Sequence, residues 1–438
     1  MSLPSMIYNY YKFVKNSYMS REKLEEYKNK QLKAIISYSY NNVSYYHDLM
    51  KNMNINPEDI KKVDDLNKLP ILYKKDIQKN PDKFISKEFN KNELIVKSTS
   101  GSTGKPLQIF LSKHDDRIRK VKHLRANVGC GQRLFDRWTT ITNVNQRTKV
   151  PGTLEFLSVF TPRPISIFDG VQKQLDLLEK IQPNIIDAYP SCLYLLAKEI
   201  ERRGTKTISP RLNFCGAESC SKTQMDYIEN IFRAPLYDQY ATIEFERVAW
   251  QCPKKTGYHI DEDATIVQFI DQDDSEVRPG EPGEIICTSL INYAMPLLRY
   301  SMGDVGVLSD EKCPCGRTLS MMKVIEGRKG DYIVLPDGRT ISPTSFQLLM
   351  RGPFQTKIEE WQVVQKEIES IDIYVKKSNE NIEEKELESS MKTFMYGLIN
   401  IKPENFSINI IFVEDIKREQ SGKMRPVSST INRGSSIA

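Results

Sequence analysis

Apolar positions are most regular in the middle of the chain. Val171, Leu175, Leu178 and Ile181 recur at helical spacing behind Asp169, which can cap the helix, and Pro183 ends it. Asn184 to Tyr189 is then a short apolar run of strand length. Ser191 opens a second helix with Leu195, Leu196 and Ile200, and Gly204 closes it. Arg211 to Cys215 predicts the next strand, Ser221 caps a third helix with Met225, Ile228 and Phe232, and Pro235 to Tyr240 predicts a further strand. Strands alternating with helices imply an α/β fold with a mostly parallel sheet and right-handed crossovers.

The flanks have a different texture. Upstream, Ser20 to Ile36 predicts a charged helix with Leu24, Tyr27, Ala34 and Ile35 inward, and Pro70, Pro81 and Asn-rich turns then punctuate short elements. Beyond Arg328, strand-like Trp361–Val364 and Ile371–Val375 precede a helix through Leu387, Met391, Phe394 and Leu398, and a last strand runs from Phe406 to Val413. This part predicts a separate α+β domain of roughly 110 residues, a size that can fold alone. No internal repeat or low-complexity linker interrupts the chain.

Composition adds limits. At 438 residues two domains are expected. The net charge of +6 comes from 63 basic and 57 acidic residues, an excess that suits anionic small molecules and does not call for nucleic acid. No run of 18 apolar residues predicts a membrane span, and Met1 to Tyr18 has no apolar core of a secretory signal. Eight dispersed cysteines fit a reducing cytoplasm, with Cys130, Cys192, Cys215, Cys220 and Cys287 as small buried residues.

The most informative segment is Lys97-Ser98-Thr99-Ser100-Gly101-Ser102-Thr103-Gly104-Lys105-Pro106. Two glycines allow a tight turn, and hydroxyls, backbone N–H groups and Lys105 can surround phosphate oxygens. Val96 before it and Leu107 to Leu111 after it predict two strands joined by this loop. A flexible Ser/Gly turn would have the same composition. A Walker A loop fails on spacing: two residues separate Gly101 from Gly104, and Pro106 stands where a Ser or Thr would hold magnesium and where a helix should start.

Ser98 to Pro106 resembles the phosphate loop of the adenylate-forming superfamily of acyl-CoA synthetases, luciferases and peptide-synthetase adenylation domains, in the branch of phenylacetate-CoA ligase, coenzyme F390 synthetase and capsule-biosynthesis proteins. The resemblance covers nearly the whole chain, with the motifs in the family's order. Tyr189-Pro190-Ser191, Gly216-Ala217-Glu218 and Asp238-Gln239-Tyr240 each close a predicted strand, and the carboxyl ends of parallel strands are where ligands bind. By resemblance Gly216, Ala217 and Glu218 line an adenine on which Tyr240 stacks, with Asp238 and Gln239 beside it. Tyr240-Ala241-Thr242-Ile243-Glu244 is similar to a Tyr-Gly-x-Ser/Thr-Glu motif, with Glu244 on the Mg²⁺ of ATP. Ala241 and Ile243 depart from the pattern. Arg299-Tyr300-Ser301-Met302-Gly303-Asp304 resembles the ribose motif, Asp304 taking the diol; a Gly-Asp β-turn is the bland alternative. Gly327-Arg328-Lys329-Gly330-Asp331 resembles the hinge, with Arg328 meeting ribose or phosphates. Gln420-Ser421-Gly422-Lys423-Met424-Arg425 resembles the segment that carries a catalytic lysine, Lys423.

The resemblance implies an N-terminal AMP-binding domain over 1–327 with mixed, mostly parallel sheets, a hinge at 328–331 and a small mobile domain over 332–438. It implies a ligase that joins a small carboxylic acid to AMP from ATP, releases pyrophosphate, and passes the acyl group to coenzyme A. A sugar or polysaccharide-precursor amine, or a carrier-protein thiol, is the alternative acceptor, and a homodimer is implied. Phosphoryl transfer with release of ADP is a different enzyme class that the loop alone permits.

Cys252 and His259, with the tight knuckle Cys313-Pro314-Cys315-Gly316, supply three thiolates and an imidazole, a set for closed tetrahedral zinc. Some proteins of the resembled branch have a similar set. Four unrelated residues, or a nucleic-acid-binding zinc module, are the competing readings. His47, His114 and His123 are taken as structural or surface residues. The acyl pocket is expected along Thr139–Gly170 and near Tyr189 and Phe214, with Trp138, Phe156, Phe160 and Phe168 as aromatic candidates. Thr139-Thr140-Ile141-Thr142-Asn143 lacks the Gly-rich run expected of phenylacetate ligases.

Overall fold

A computed structural model describes residues 3–98, 106–143, 160–204, 207–218, 220, 222–271, 273–328, 332–341, 346, 354, 357–378, 381–399, 401–418 and 424–431. The chain divides into two compact units. One is Met1–Met302 with Gly306–Val324, the other Gly303–Val305 with Ile325–Ala438.

The large unit begins with helices α1 (Leu3–Asn16), α2 (Arg21–Asn42) and α3 (Ser44–Asn52) and the short α4 (Lys74–Lys79). Ser20 caps α2 with its hydroxyl, as its chemistry favours. The helix runs past Ile36 to Asn42, where Ser39 is buried and Tyr38 and Tyr40 pack against the same apolar cluster as Leu32, Ile35 and Ile36; Ala34 points outward instead, and Tyr27 is half-buried. A hairpin of β1 (Ile95–Ser98) and β2 (Gln108–Leu111) follows, pairing Ser98 with Gln108. It leads into α5 (Lys113–Gly129), which Ser112 and Asp115 close with a reciprocal capping box.

The central sheet orders its strands β10-β11-β12-β13-β9-β8-β7-β6-β5-β3-β4. These are β3 (Trp138–Thr142), β4 (Arg163–Ser166), β5 (Ile185–Ala188), β6 (Leu212–Gly216), β7 (Leu236–Thr242), β8 (Glu246–Gln251), β9 (Tyr258–Ile260), β10 (Thr265–Ile270), β11 (Pro282–Ser289), β12 (Tyr300–Ser309) and β13 (Met321–Arg328). β4-β3-β5-β6-β7 are parallel, while β7-β8, β8-β9, β9-β13 and β10-β11 are antiparallel. The sheet is mixed, as expected, and its order reverses between β3 and β5, the topological switch point at which open α/β sheets bind ligands.

The parallel strands are covered by α6 (Val171–Ile181), α7 (Pro190–Arg203) and α8 (Lys222–Phe232), whose Leu175, Leu178, Leu193, Leu196 and Ile228 join one apolar cluster with Ile186 and Leu236. Three starts differ from the sequence reading. Gly170, in extended conformation, is the N-cap of α6, and Asp169 instead accepts from Lys173 at 2.7 Å. Pro190 occupies the first turn of α7, where its missing N–H costs nothing, so Ser191 lies inside the helix. The expected cap of α8, Ser221, lies outside the described residues. Gly204 does end α7 in the left-handed conformation.

The second unit holds β16 (Ile358–Glu367), β17 (Ser370–Lys377), α9 (Glu384–Ile399), β18 (Ser407–Phe412) and β19 (Val427–Ser429), after the small pair β14 (Ile333–Val334) and β15 (Thr340–Ile341). Its sheet runs β18-β17-β16-β19. Leu387, Met391, Met395 and Ile399 of α9 pack on Val363, Ile373 and Val375, whereas Phe394 faces outward. The sequence does not announce β19; it forms because Val427 and Ser428 meet β16 in parallel.

Candidate active site and thiol cluster

The carboxyl ends of β5, β6 and β7 meet at one rim. Gly216 ends β6 against the backbone of β7: a Cβ there would lie 2.5 Å from the Gln239 carbonyl oxygen, so only glycine fits. Ala217 follows in the left-handed region, φ 66°, a cost that a non-glycine residue bears where the backbone must turn sharply. Glu218 then accepts from the Ser191 amide at 3.1 Å, tying the end of β6 to the first turn of α7.

β7 extends two residues past its predicted end, because β8 continues the hydrogen-bond ladder to the Thr242–Glu246 pair. Asp238 and Gln239 therefore lie inside the strand. Asp238 accepts from the Tyr258 hydroxyl at 2.7 Å, and burial pushes its carboxyl up to about 6. Gln239 donates to Asn127 of α5 at 3.0 Å. Tyr240 is buried in the same strand, and a register shift separates it from Ala241.

Ile243, Glu244 and Phe245 form the turn between β7 and β8. It is a three-residue hairpin loop closed by a left-handed residue, Glu246 at φ 62°, with the Thr242 hydroxyl accepting from the Phe245 amide at 3.2 Å. Glu244 accepts from the Tyr300 hydroxyl at 3.1 Å. That places Tyr300 of the Arg299–Asp304 segment against Glu244, a contact invisible in the sequence. Asp304 is not in a β-turn; it lies within β12.

A charged cluster that the sequence did not announce surrounds this turn. Lys97 pairs with Asp116 at 3.1 Å, and His123 lies 2.8 Å from Glu246, with Trp138 stacked on its ring. His123 is thus a partnered residue. Burial works against the Glu246 charge, but His123, Lys122 and Arg247 more than offset it and hold its pKa far below the ordinary range. Burial also pushes Lys122 down to about 8. The available signal was the spacing of Arg119, Lys122 and Arg125, three apart along α5 and so on one face; a run of charge reads by default as a solvated face, yet all three are buried.

Several expected site residues have no described geometry. Thr99, Ser100, Gly101, Ser102, Thr103, Gly104, Lys105, Asp331 and Lys423 lie outside the described residues, as does Phe156 of the aromatic set. Arg328 ends β13. Of the flanking positions, Ser98 ends β1, and Arg425 and Pro426, just after Lys423, are held on β16 by their carbonyls, which accept from Gln362 at 3.0 Å and from the Val363 amide at 2.8 Å. Of the aromatic residues expected at an acyl pocket, Trp138 and Phe160 are half-buried, and Phe168 is exposed. Cys220 is half-buried, whereas the other four cysteines read as structural are buried.

Cys252 after β8, His259 on β9, and Cys313 and Cys315 between β12 and β13 bring their ligand atoms within 4.8 Å of one another. Tetrahedral zinc–sulfur bonds of about 2.3 Å require sulfurs about 3.8 Å apart; Cys252 and Cys313 stand 3.6 Å apart, and Cys315 lies 3.3 Å from His259 Nε2. The Lys254 amide and the Thr256 hydroxyl donate to Cys252 and Cys313, and Gly316 takes the left-handed turn, φ 81°. Burial pushes His259 down to about 4, which keeps its imidazole neutral and able to ligate. The donor set and spacing fit a closed zinc site. No helix among the described residues is long and apolar enough to cross a membrane.

Residues 333–430 match the family model of the CapK C-terminal domain. Over 97% of its length the chain is 27% identical to protein CapK of Staphylococcus aureus, of which 95% is covered. It is 26% identical to a phenylacetate-coenzyme A ligase of Thermus thermophilus over 76% of each chain. A crystal structure of 2-hydroxyisobutyryl-CoA ligase with an acyl-AMP, in its postadenylation state, superposes over 95% of this chain and 91% of its own with a TM-score of 0.79 at 17% identity.

Proposed function

We propose that this chain, a relative of phenylacetate-CoA ligases and of CapK with the fold of an adenylate-forming CoA ligase, activates a carboxylic acid with ATP as an acyl adenylate and then transfers the acyl group to coenzyme A. The observation that carries this reading is the rim at the ends of β5, β6 and β7. A glycine-limited, left-handed β6 end and the β7–β8 turn bearing Glu244 lie on the same carboxyl-end rim as the switch point, in a fold otherwise seen holding an acyl-AMP.

A carboxylate is a poor electrophile, and adenylation makes it a good one. The acid's oxygen attacks the α-phosphorus of ATP, pyrophosphate leaves, and the thiol sulfur of coenzyme A then attacks the acyl carbonyl as AMP leaves. Gly216, Ala217, Glu218 and Tyr240 bound the adenine side, the main chain of Asp238 to Thr242 forms its floor, and Asp304 and Arg328 serve the ribose. Ser98 to Lys105 hold the outer phosphates, and Lys423 brings a cation to the transferring phosphorus. Glu244 would hold Mg²⁺, which supplies charge neutralisation on the phosphates. Cys252, His259, Cys313 and Cys315 would hold structural zinc with no open position for water, in a reducing cytoplasm.

A second acceptor has its own support. CapK matches the chain along its whole length, and the C-terminal unit matches the CapK model, whereas the phenylacetate ligase matches three quarters. An amine of a sugar precursor is the acceptor on that reading. ATP–pyrophosphate exchange across aryl, fatty, hydroxy and amino acids, with Lys423→Ala as control, tests the first half-reaction. Acid-dependent exchange lost in the variant supports adenylation; ADP with no exchange overturns it. Adding coenzyme A or candidate amines to the responsive acid then identifies the acceptor.

A further inference from the structure

Helix α5 grips the Glu244 turn from beneath. Arg119 donates to the carbonyl of Ile243 at 2.7 Å. One turn later Lys122 donates to the carbonyls of Phe245, at 3.0 Å, and of Arg247. Arg247 returns two bonds to the carbonyls of Lys122 and His123. Alternate carbonyls of residues 243 to 247 thus point at one helix, and Glu244 between them is met from β12 by the Tyr300 hydroxyl.

Arg119 is the unusual member. It is 2% exposed, its Nε and Nη1 make no hydrogen bond, and among the described residues it forms no ion pair. Burial lowers its pKa, and the more distant charges of Glu246, Asp116, Glu244 and Asp115 act in the opposite direction. A buried guanidinium with a single hydrogen bond is a costly way to fill space, and an apolar side chain of similar volume would pack there at less cost. What the guanidinium adds is a fixed Ile243 carbonyl and a positive potential beneath the carboxylates of the turn. Position 243 is also where the sequence departs from the hydroxyl-bearing pattern it otherwise resembles.

We propose that Arg119 is a positioning residue that presents Glu244, held in one place, to the divalent cation of the bound nucleotide. The inference rests on the reading of Glu244 as the ligand of Mg²⁺. Arg119 touches neither substrate nor metal; it acts through the turn. Loss of groups that orient a metal ligand typically weakens metal affinity 10–100-fold, so Arg119→Met is expected to raise the Mg²⁺ concentration for half-maximal pyrophosphate exchange about tenfold. AMP affinity in the absence of metal and the KM for the acid stay as in the unaltered protein.

Arg119→Lys separates the two contributions and guards against a folding failure, because an ammonium keeps the charge and nearly the reach to Ile243 while losing the planar fork. It should lie between the native protein and Arg119→Met. Mn²⁺ titration of the ATP-loaded protein by electron paramagnetic resonance reads the same shift without any acyl substrate. Absence of exchange in the native protein would therefore count against adenylation, while the Mn²⁺ series would still decide the role of Arg119. Folded Arg119→Met with unchanged Mg²⁺ and Mn²⁺ dependence overturns the proposal. So does an equal loss of metal-free AMP binding, which a merely structural role would produce.

Discussion

The most exacting physical test lies beneath the sheet, at Asp261. One oxygen accepts from Trp250 Nε1 at 3.1 Å and from Arg125; the other accepts from Arg247 Nε and Nη2 at 3.0 and 2.8 Å. Burial alone would raise its pKa, but Arg247, Arg125 and Lys122 hold it below the ordinary value. Asp261→Asn changes the shape little. It leaves Arg125, Arg247 and Lys122 buried with Asp263 as the remaining acid beside Arg125, and turns an amide N–H toward donors. Removing one partner from a buried ionic network costs about 3–5 kcal/mol. In a unit of this size that lowers the melting temperature by roughly 4–8 °C. Asp263→Asn should cost less, because burial and the nearby Asp261 charge already raise the Asp263 pKa.

The sign with pH follows. A carboxylate whose folded pKa is depressed contributes stability above its unfolded pKa and loses it as the pH falls. The gap between native protein and Asp261→Asn should therefore close on acidification. Urea titrations from about pH 2 to 8, read by circular dichroism, measure both effects, the gap holding constant above the ordinary carboxylate value of 3.8 and closing below it. A loss below about 1 kcal/mol at pH 8, or a gap independent of pH, would refute the assignment of this network as a stabilising, charge-matched core. Zinc content should be measured in parallel, since His259 is close in sequence.

Other outcomes follow from the same geometry. Lys423→Ala should lower pyrophosphate exchange by about two to three powers of ten while leaving thermal unfolding unchanged, as expected when a cation acts chiefly on the transition state; exchange within a few-fold of the native rate would remove Lys423 from the chemistry. Purified protein should contain one zinc per chain by atomic emission, and Cys313→Ser should lose it and melt lower; a metal-free native protein with an unchanged melt in chelator would count against the site. Asp238, pushed up to about 6, is a carboxyl whose folded pKa lies above the unfolded 3.8, so its contribution falls as the pH rises between those values and is flat above. Asp238→Asn should lack that slope in urea titrations, and a slope that persists would show that another group titrates there.

How much was legible varied with the range of the interaction. The βα alternation from Val171 to Tyr240 could be read because apolar periodicity is local, and Gly204 and Ser20 act on neighbours a few residues away. Strand ends were less legible: β7 reaches Thr242 because β8 pairs with it, and β19 exists because β16 offers an edge. Asp169 and Ser191 carry the chemistry of helix caps, but Gly170 and Pro190 supplied the backbone geometry instead.

The sequence by itself determined the reaction class to expect, since its motifs lie in order along the chain and their residue types suit phosphate, adenine and metal. It also singled out Cys252, His259, Cys313 and Cys315 as a candidate metal-ligand set, and the fold brings these four together. Only the tertiary structure decided which charges are buried and against what. Arg119, Lys122 and Arg125 look like a solvated helix face until β7, β8 and the Asp261–Asp263 turn close over them. Tyr300 and Glu244 become partners only when strands 56 residues apart meet. The physical reason is that a charge is assigned its role by its desolvation and its partners, and both are set by the packing of distant segments.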